Sequence, residues 1–216
     1  MIILSHIKQH PSIINMRSTV GFVKYGGNMK KQPERTAMTR SILIDTFLEL
    51  SNQMPLDKIT VAEISRKSDF NRSTFYQYFN DTQHLLSCLE DDLLLYIKTR
   101  IISQIGESHP EHLFVDFFIK INAEKRSTLK LLLGSSSNNS FPAKLKESLI
   151  PLFAAQMKIP ADDYQTVYKL DFYLSGIISI ISRWITSETP MPPEEYALLV
   201  KQIVEGMRKS ELFPIF

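Results

Sequence analysis

The sequence contains little cysteine, little glycine and no long apolar run, and each shortage excludes a class of protein. Its single cysteine, Cys88, excludes an intramolecular disulfide and favours a reducing compartment such as the cytoplasm. Seven glycines in 216 residues favour helices over a turn-rich sheet fold. No apolar run reaches the roughly 20 residues of a membrane-spanning helix, so we expect no membrane partner.

The groups that catalysis and metal binding require are also scarce. The histidines, His6, His10, His84, His109 and His112, have no metal-binding spacing and no partner cysteine. No phosphate-cradling glycine loop occurs. Carboxylates cluster at residues 90–92 and 162–163, where a solvated helix face and a helix N-terminus explain them better than acid–base chemistry. We therefore expect no enzyme, no cofactor and no metal.

Charge is unevenly distributed, although the net charge is only +2. Residues 1–86 contain 11 Lys and Arg against 7 Asp and Glu, whereas residues 87–216 contain 14 against 16. The N-terminal part therefore favours a phosphate-bearing partner more than the rest does. A difference of this size also arises by chance, so charge alone does not identify a nucleic-acid binder.

Apolar periodicity predicts an all-α protein. The predicted helices span residues 35–53, 61–67, 71–79, 82–104, 111–122, 123–133, 142–157, 161–186 and 193–209. They divide the chain into a helix-turn-helix domain at 33–82 and a helical bundle at 83–216. Residues 1–32 are expected to be a disordered tail or a mis-annotated start. The codons for Gly26-Gly27 can form a purine-rich ribosome-binding site, and Met29 lies just downstream of them.

Two short helices joined by a three-residue turn carry the functional prediction. Thr60 and Glu63 form a capping-box pattern before the first helix, and Asn71 is a good N-cap for the second. Phe75 and Phe79 lie one turn apart, so they can anchor one face of the second helix. Its other sides carry hydrogen-bonding residues, and this arrangement predicts a helix-turn-helix that enters the major groove of double-stranded DNA.

Residues 59–86 resemble the DNA-binding domain of the TetR family of bacterial transcriptional regulators. The most specific part is the Ser-Thr-Phe-Tyr-x-Tyr-Phe sequence at residues 73–79. Residues 175–184 and 191–195 resemble, more weakly, the C-terminal domain of one branch of that family. The resemblance implies a homodimer whose last two long helices pair in a four-helix bundle and which represses transcription from a pseudo-palindromic operator.

The resemblance also assigns roles to individual residues. The residues that match base-facing positions in relatives are Arg72, Ser73, Thr74, Tyr76 and Gln77. Thr60 and Tyr78 match phosphate-binding positions, as does Thr82, where many relatives carry lysine. Either Tyr76 or Tyr78 could instead serve mainly in packing. Asp69 stands where relatives have glycine, and aspartate tolerates the left-handed backbone of such a turn better than most residues.

The C-terminal domain is where relatives bind small-molecule effectors, and six residues are candidates for such a pocket. They are Phe117, Phe118, Phe153, Met157, Tyr173 and Trp184, each of which could equally be a core residue. Small residues at Ser175, Gly176 and Ser179 are expected near the dimer interface. An activator, a regulator controlled by a protein partner and a helical adaptor without DNA binding remain as alternatives.

Overall fold

A computed structural model describes residues 33–104, 110–134, 140–188 and 190–209. The predicted tail, the Met29 start and nearly all of the predicted loop at 135–140 lie outside these ranges. The chain divides into two compact units, Met1–Ala37 and Met38–Phe216. Of the first unit only residues 33–37 are described, and they are helical.

The described residues form helices and connecting turns, with no strand among them, so the predicted all-α class is confirmed. The helices are α1 (Pro33–Ser51), the 3₁₀ helix η1 (Leu56–Lys58), α2 (Val61–Ser68), α3 (Arg72–Phe75), α4 (Thr82–Gln104), α5 (Pro110–Leu133), α6 (Phe141–Gln156), α7 (Tyr164–Thr186) and α8 (Pro193–Lys209). None of the helices in the described part is both long enough and apolar enough to cross a bilayer.

Two hydrophobic cores organise these helices. The first joins α1, α2 and the segment around α3, and its most deeply buried residues include Leu43, Ile64 and Phe75. The second joins the C-terminal helices around α5, which packs against α4, α6, α7 and α8. Helix α4 belongs to both cores, because Leu85 and Leu89 lie in the first and its later residues lie in the second.

Helix α5 agrees with the prediction of two helices at 111–122 and 123–133, apart from the position of the boundary. A kink at Lys125, whose backbone angles are φ −131° and ψ 17°, divides it into two helical parts. The Arg126 guanidinium donates to Asn122 Oδ1 at 2.8 Å and so links the two sides of the kink. Residues on both sides of the kink, including Phe118 and Leu129, enter the same core.

Helix α7 begins three residues later than predicted. Asp163 is its N-cap, and its Oδ1 accepts a hydrogen bond from the Thr166 amide at 3.0 Å. Hydrogen bonds from the Thr166 side chain and amide lower the pKa of Asp163. The carboxylates at 162–163 therefore include a helix cap, as expected from the sequence.

Candidate nucleic-acid interface

The start of α2 has the predicted capping box. The Thr60 hydroxyl accepts from the Glu63 amide at 3.2 Å, and the Glu63 carboxylate accepts from the Thr60 amide at 2.9 Å. The Thr60 hydroxyl proton also points to the Glu63 carboxylate, at 2.9 Å. Thr60 is exposed, but its proton is already used, so binding a phosphate as a donor would require the hydroxyl to break that bond.

The turn after α2 depends on a left-handed residue. Asp69 has φ 58° and ψ 25°, and its amide donates to the Ser65 carbonyl. The Phe70 amide donates to the same carbonyl at 3.1 Å. The expectation that aspartate tolerates this conformation is confirmed, and the turn positions Asn71 to begin the next helix.

The side chain of Asn71 organises the start of α3. Its Oδ1 accepts from the Thr74 amide at 2.8 Å, the Ser73 hydroxyl at 2.5 Å and the Thr74 hydroxyl at 3.0 Å. Both hydroxyl protons point toward Asn71, which leaves the Ser73 and Thr74 oxygens as acceptors. In this arrangement the two hydroxyls suit amino groups on a base edge better than phosphate oxygens.

Helix α3 is shorter than the predicted helix at 71–79. Only Arg72–Phe75 is α-helical, and the chain then continues in tight turns. The amide of Gln77 donates to the Thr74 carbonyl at 3.2 Å, and the amide of Tyr78 donates to the Phe75 carbonyl at 2.9 Å. These bonds span three residues, as in a 3₁₀ helix. We call residues 71–79 the α3 segment.

Two phenylalanines anchor the α3 segment. Phe75 and Phe79 are 0% and 1% exposed, and their ring centroids lie 5.5 Å apart. Tyr78 packs partly against the same core, and its ring centroid lies 6.4 Å from that of Phe79. Tyr78 is thus a packing residue as well as a candidate phosphate contact.

The opposite side of the α3 segment is open to solvent. Arg72, Ser73 and Gln77 are exposed, Thr74 is half-buried, and the large side chain of Tyr76 is 56% exposed. Tyr76 rests edge-on against the Phe75 ring, with centroids 5.7 Å apart. The five residues predicted to face bases therefore share one short, firmly anchored segment.

The start of α4 closes the site. Asp81 Oδ1 accepts from the His84 amide at 2.7 Å, and His84 Nδ1 accepts from the Asn80 amide at 3.0 Å. Thr82, predicted to lie near phosphate, is half-buried in this first turn. The His84 ring also contacts the edge of Phe79, with ring centroids 6.2 Å apart. Among the described residues, His84 included, no three His, Cys, Asp or Glu side chains are arranged to bind a metal ion.

Sequence reasoning missed Arg40 of α1. Its guanidinium carbon lies 5.6 Å from the centroid of the Phe79 ring, and its Nη2 donates to Asp92 Oδ2 at 2.9 Å. No motif in the sequence singles out this arginine, because its partners are 39 and 52 residues away along the chain. Only the packing of α1 against both α4 and the α3 segment brings them together.

Five of the six effector candidates belong to the C-terminal core or pack against it. Phe118 and Trp184 are buried beside Tyr196, and the Trp184 and Tyr196 rings are stacked with centroids 4.8 Å apart. Phe117, Phe153 and Tyr173 pack partly buried against the same core, and burial raises the pKa of Tyr173 to about 12. Met157 ends α6 as its C-cap.

Small residues of α7 instead line an open groove against α6. The groove has a volume of 680 Å³, and its walls include Lys146, Ser175, Ser179 and Arg183. None of the six effector candidates is among its described lining residues. Gly176 is exposed, and a Cβ atom added to it would meet nothing within 4 Å, so no close helix contact within the chain requires glycine there.

Comparisons with known proteins agree with this architecture. Residues 108–206 match a TetR C-terminal family described as "Transcriptional regulator C-terminal region". A TetR transcriptional regulator from Streptococcus agalactiae 2603V has a similar structure, with a TM-score of 0.52 and 20% identity, covering 79% of this chain and 96% of that one. No curated protein sequence matches the chain.

A bacterial regulatory protein of the tetR family from Rhodococcus RHA1 is also similar in structure, with a TM-score of 0.56 and 17% identity. The alignment covers 82% of this chain and 97% of that protein. The chain thus shares its overall fold with these two solved structures. The C-terminal part of the chain, residues 108–206, is similar to that of transcriptional regulators of the TetR type.

Proposed function

We propose that the protein is a repressor that binds a pseudo-palindromic DNA operator as a homodimer. The observation that carries the proposal is the division of the α3 segment into two faces. Phe75 and Phe79 are buried, whereas Arg72, Ser73, Tyr76 and Gln77 are exposed. A short rod with a fixed base and a polar outer face is what insertion into a major groove requires.

Each exposed side chain offers different recognition chemistry. Arg72 carries only donors, which suit the O6 and N7 atoms of guanine or a phosphate. Ser73 and Thr74 present acceptor oxygens in the free protein, which suit amino groups of adenine or cytosine. The exposed ring of Tyr76 can contact a thymine methyl group, while Thr60, Tyr78 and Thr82 lie at the edges, where phosphates would pass.

Exposed apolar side chains on the last two helices support dimerisation. Tyr164 and Tyr168 of α7 are 61% and 75% exposed, and Leu198 of α8 is 52% exposed. Such residues on adjacent surface helices favour burial against another molecule. Ser175, Gly176 and Ser179 lie farther along α7, where small side chains would allow two helices to approach closely. In this proposal residues 33–82 read DNA and residues 83–216 fix the spacing of the two reading segments.

We further propose that an effector acts on the C-terminal domain by favouring one of two bundle arrangements. An effector that enters among Phe118, Trp184 and their neighbours must displace part of a packed aromatic stack. Trp184 is the only tryptophan in the chain, so its fluorescence would report that displacement. A titration with candidate ligands that leaves the fluorescence unchanged would count against binding at this stack.

The proposal is tested by selecting bound sequences from a library of random double-stranded DNA. We expect a palindromic consensus with half-sites about one helical turn apart. Arg72→Ala and Tyr76→Ala should each weaken binding to that consensus by about 1–3 kcal/mol per base-reading contact. Failure to enrich any sequence would refute operator binding.

Arg100→Ala is the matched control for the loss of one arginine. Arg100 lies near the C-terminal end of α4, outside the site, and its guanidinium carbon lies 5.5 Å from the centroid of the Tyr96 ring. The variant removes the same charge as Arg72→Ala but should leave binding to the consensus unchanged. A loss as large as that of Arg72→Ala would show that overall charge, rather than contact by the α3 segment, determines binding.

A further inference from the structure

Three consecutive carboxylates on α4 connect helices that belong to different cores. Asp92 accepts from Arg40 of α1 at 2.9 Å. Glu90 and Asp91 accept from the Lys144 ammonium of α6, at 3.0 Å and 2.8 Å. The residues that looked like a solvated helix face therefore pair with two cations that come from opposite parts of the protein.

One of the three contacts, between Lys144 and Glu90, is partly buried, whereas the contacts of Lys144 with Asp91 and of Arg40 with Asp92 are exposed. The Glu90 side chain is 17% exposed and that of Lys144 is 35% exposed, so solvent screens this contact less than a fully exposed one. Hydrogen bonding to Asp91 and Glu90 raises the pKa of Lys144, although partial burial opposes the rise. The Lys144 side chain therefore stays charged and can pair with both carboxylates.

Arg40 carries the connection to the α3 segment. Its guanidinium pairs with Asp92 on one side and lies 5.6 Å from the centre of the Phe79 ring on the other. Phe79 ends the α3 segment, and its amide donates to the Phe75 carbonyl at 3.0 Å. A shift of Arg40 would therefore loosen the support of the exposed residues between the two phenylalanines.

We propose that Arg40 is a positioning residue for the α3 segment, and that Lys144 controls Arg40 through the carboxylates of α4. This rests on the proposed function in one respect: the consequence for DNA binding presupposes an operator. The mechanical link itself does not, because it concerns the free protein. Movement of α6 would shift Glu90 and Asp91, the next residue Asp92 would move with them, and Arg40 would lose its place on Phe79.

The first experiment measures amide hydrogen exchange at Gln77, Tyr78 and Phe79 without DNA. Arg40→Gln and Lys144→Gln should each raise the exchange rates about three- to tenfold, the size expected for one partly exposed charged contact. Lys146→Gln is the matched control, because Lys146 lies on the same helix but pairs with Asp171 of α7 at 2.9 Å. It should leave the three amides unchanged.

Three outcomes would overturn the proposal. Arg40→Gln could leave the exchange unchanged, Lys144→Gln could leave it unchanged, or Lys146→Gln could raise it as much as Lys144→Gln does. Asp92→Asn provides a second route, since it removes the ion pair but keeps the arginine. It should reproduce the effect of Arg40→Gln in part, and melting curves establish that each variant is folded.

The second experiment separates positioning from direct phosphate binding by Arg40. If Arg40 positions the segment, Arg40→Gln weakens binding to the selected consensus about three- to tenfold and leaves binding to random DNA unchanged. If it binds a phosphate, both affinities fall and the salt slope drops by about 0.9, which overturns the assignment. Failure of the wild type to bind any DNA would refute the proposed function. The exchange experiment would still test whether Lys144 and Arg40 support the α3 segment.

Discussion

Phe75 and Phe79 pack with their ring centroids 5.5 Å apart, and neither side chain exceeds 1% exposure. The residue next to Phe75 in the chain, Tyr76, is 56% exposed. Buried residues of this segment thus contribute to stability, and exposed residues beside them are available for recognition. Substitutions at neighbouring residues should therefore have separable effects.

Replacing Phe75 by alanine should destabilise the protein without introducing a new contact. A buried phenylalanine truncated to alanine costs about 3–5 kcal/mol, because the apolar contacts are lost and a cavity remains. Tyr76→Ala, at an exposed position, should change the free energy of unfolding by less than about 0.5 kcal/mol. Urea unfolding followed by circular dichroism measures both, and equal losses in the two variants would contradict the division of roles.

Asp69 should respond to substitution according to its backbone rather than its charge. Its φ of 58° lies in the left-handed region, which glycine adopts freely. Asp69→Gly should therefore retain full stability, whereas Asp69→Val should lose about 1–2 kcal/mol. Asp57→Val, at an exposed residue outside the left-handed region, controls for the loss of charge and solubility. Urea unfolding measures all three, and a valine variant at 69 as stable as the glycine variant would contradict the prediction.

Local signals were enough to predict most of the fold. The capping box at Thr60 and Glu63, the cap at Asn71 and the helices at 82–104 and 193–209 all depend on contacts within a few residues. Helix bounds were less predictable where tertiary packing decides. The boundary between the two helical parts of α5 lies at Lys125 rather than after Asn122, because Ile121 and Asn122 are buried.

The exposed residues of the candidate site could be predicted from the sequence, but the residues proposed to hold the α3 segment in position could not. The polar positions of the α3 segment follow from the spacing of Phe75 and Phe79, which the sequence displays. Its helical part is shorter than expected, because tight turns after Phe75 still bring Phe79 into the core. Arg40 and Lys144 could not be found, since their partners are 39 to 54 residues away along the chain.

The capping box predicts acid sensitivity at the start of α2. Hydrogen bonds from the Thr60 amide and hydroxyl lower the pKa of Glu63 below its ordinary value of 4.5. A carboxylate whose pKa is lowered by folding stabilises the folded state above its ordinary pKa, and this contribution disappears as the pH falls through the lowered value. The helix start should therefore loosen below about pH 4.5.

Glu63→Gln tests this prediction, because glutamine keeps an acceptor for the Thr60 amide but does not titrate. The stability advantage of the wild type over Glu63→Gln should be largest near neutral pH and vanish in acid. Urea unfolding at a series of pH values measures the difference. An advantage that persists unchanged at the lowest pH would show that the charge of Glu63 plays no part.

A substitution at Gly176 can distinguish effects on the folding of one protomer from effects on its association with a second. A Cβ atom at this position meets nothing within 4 Å of the same chain, and glycine inside a helix costs about 0.5–1 kcal/mol relative to alanine. Gly176→Gln should therefore keep or raise helix content. If α7 pairs closely with its partner copy here, the larger side chain should weaken association by about 1–3 kcal/mol, which is roughly 5- to 150-fold in Kd.

Sedimentation velocity over a range of concentrations distinguishes the two effects. The wild type should sediment at twice the protomer mass of 24.9 kDa, whereas Gly176→Gln should dissociate at concentrations where the wild type does not. Ala155→Gln, an exposed substitution on α6, should remain dimeric. If Gly176→Gln stays a dimer while Tyr168→Glu dissociates, the apolar half of α7 carries the interface and the small residues do not; if neither dissociates, α7 is not the dimerisation helix.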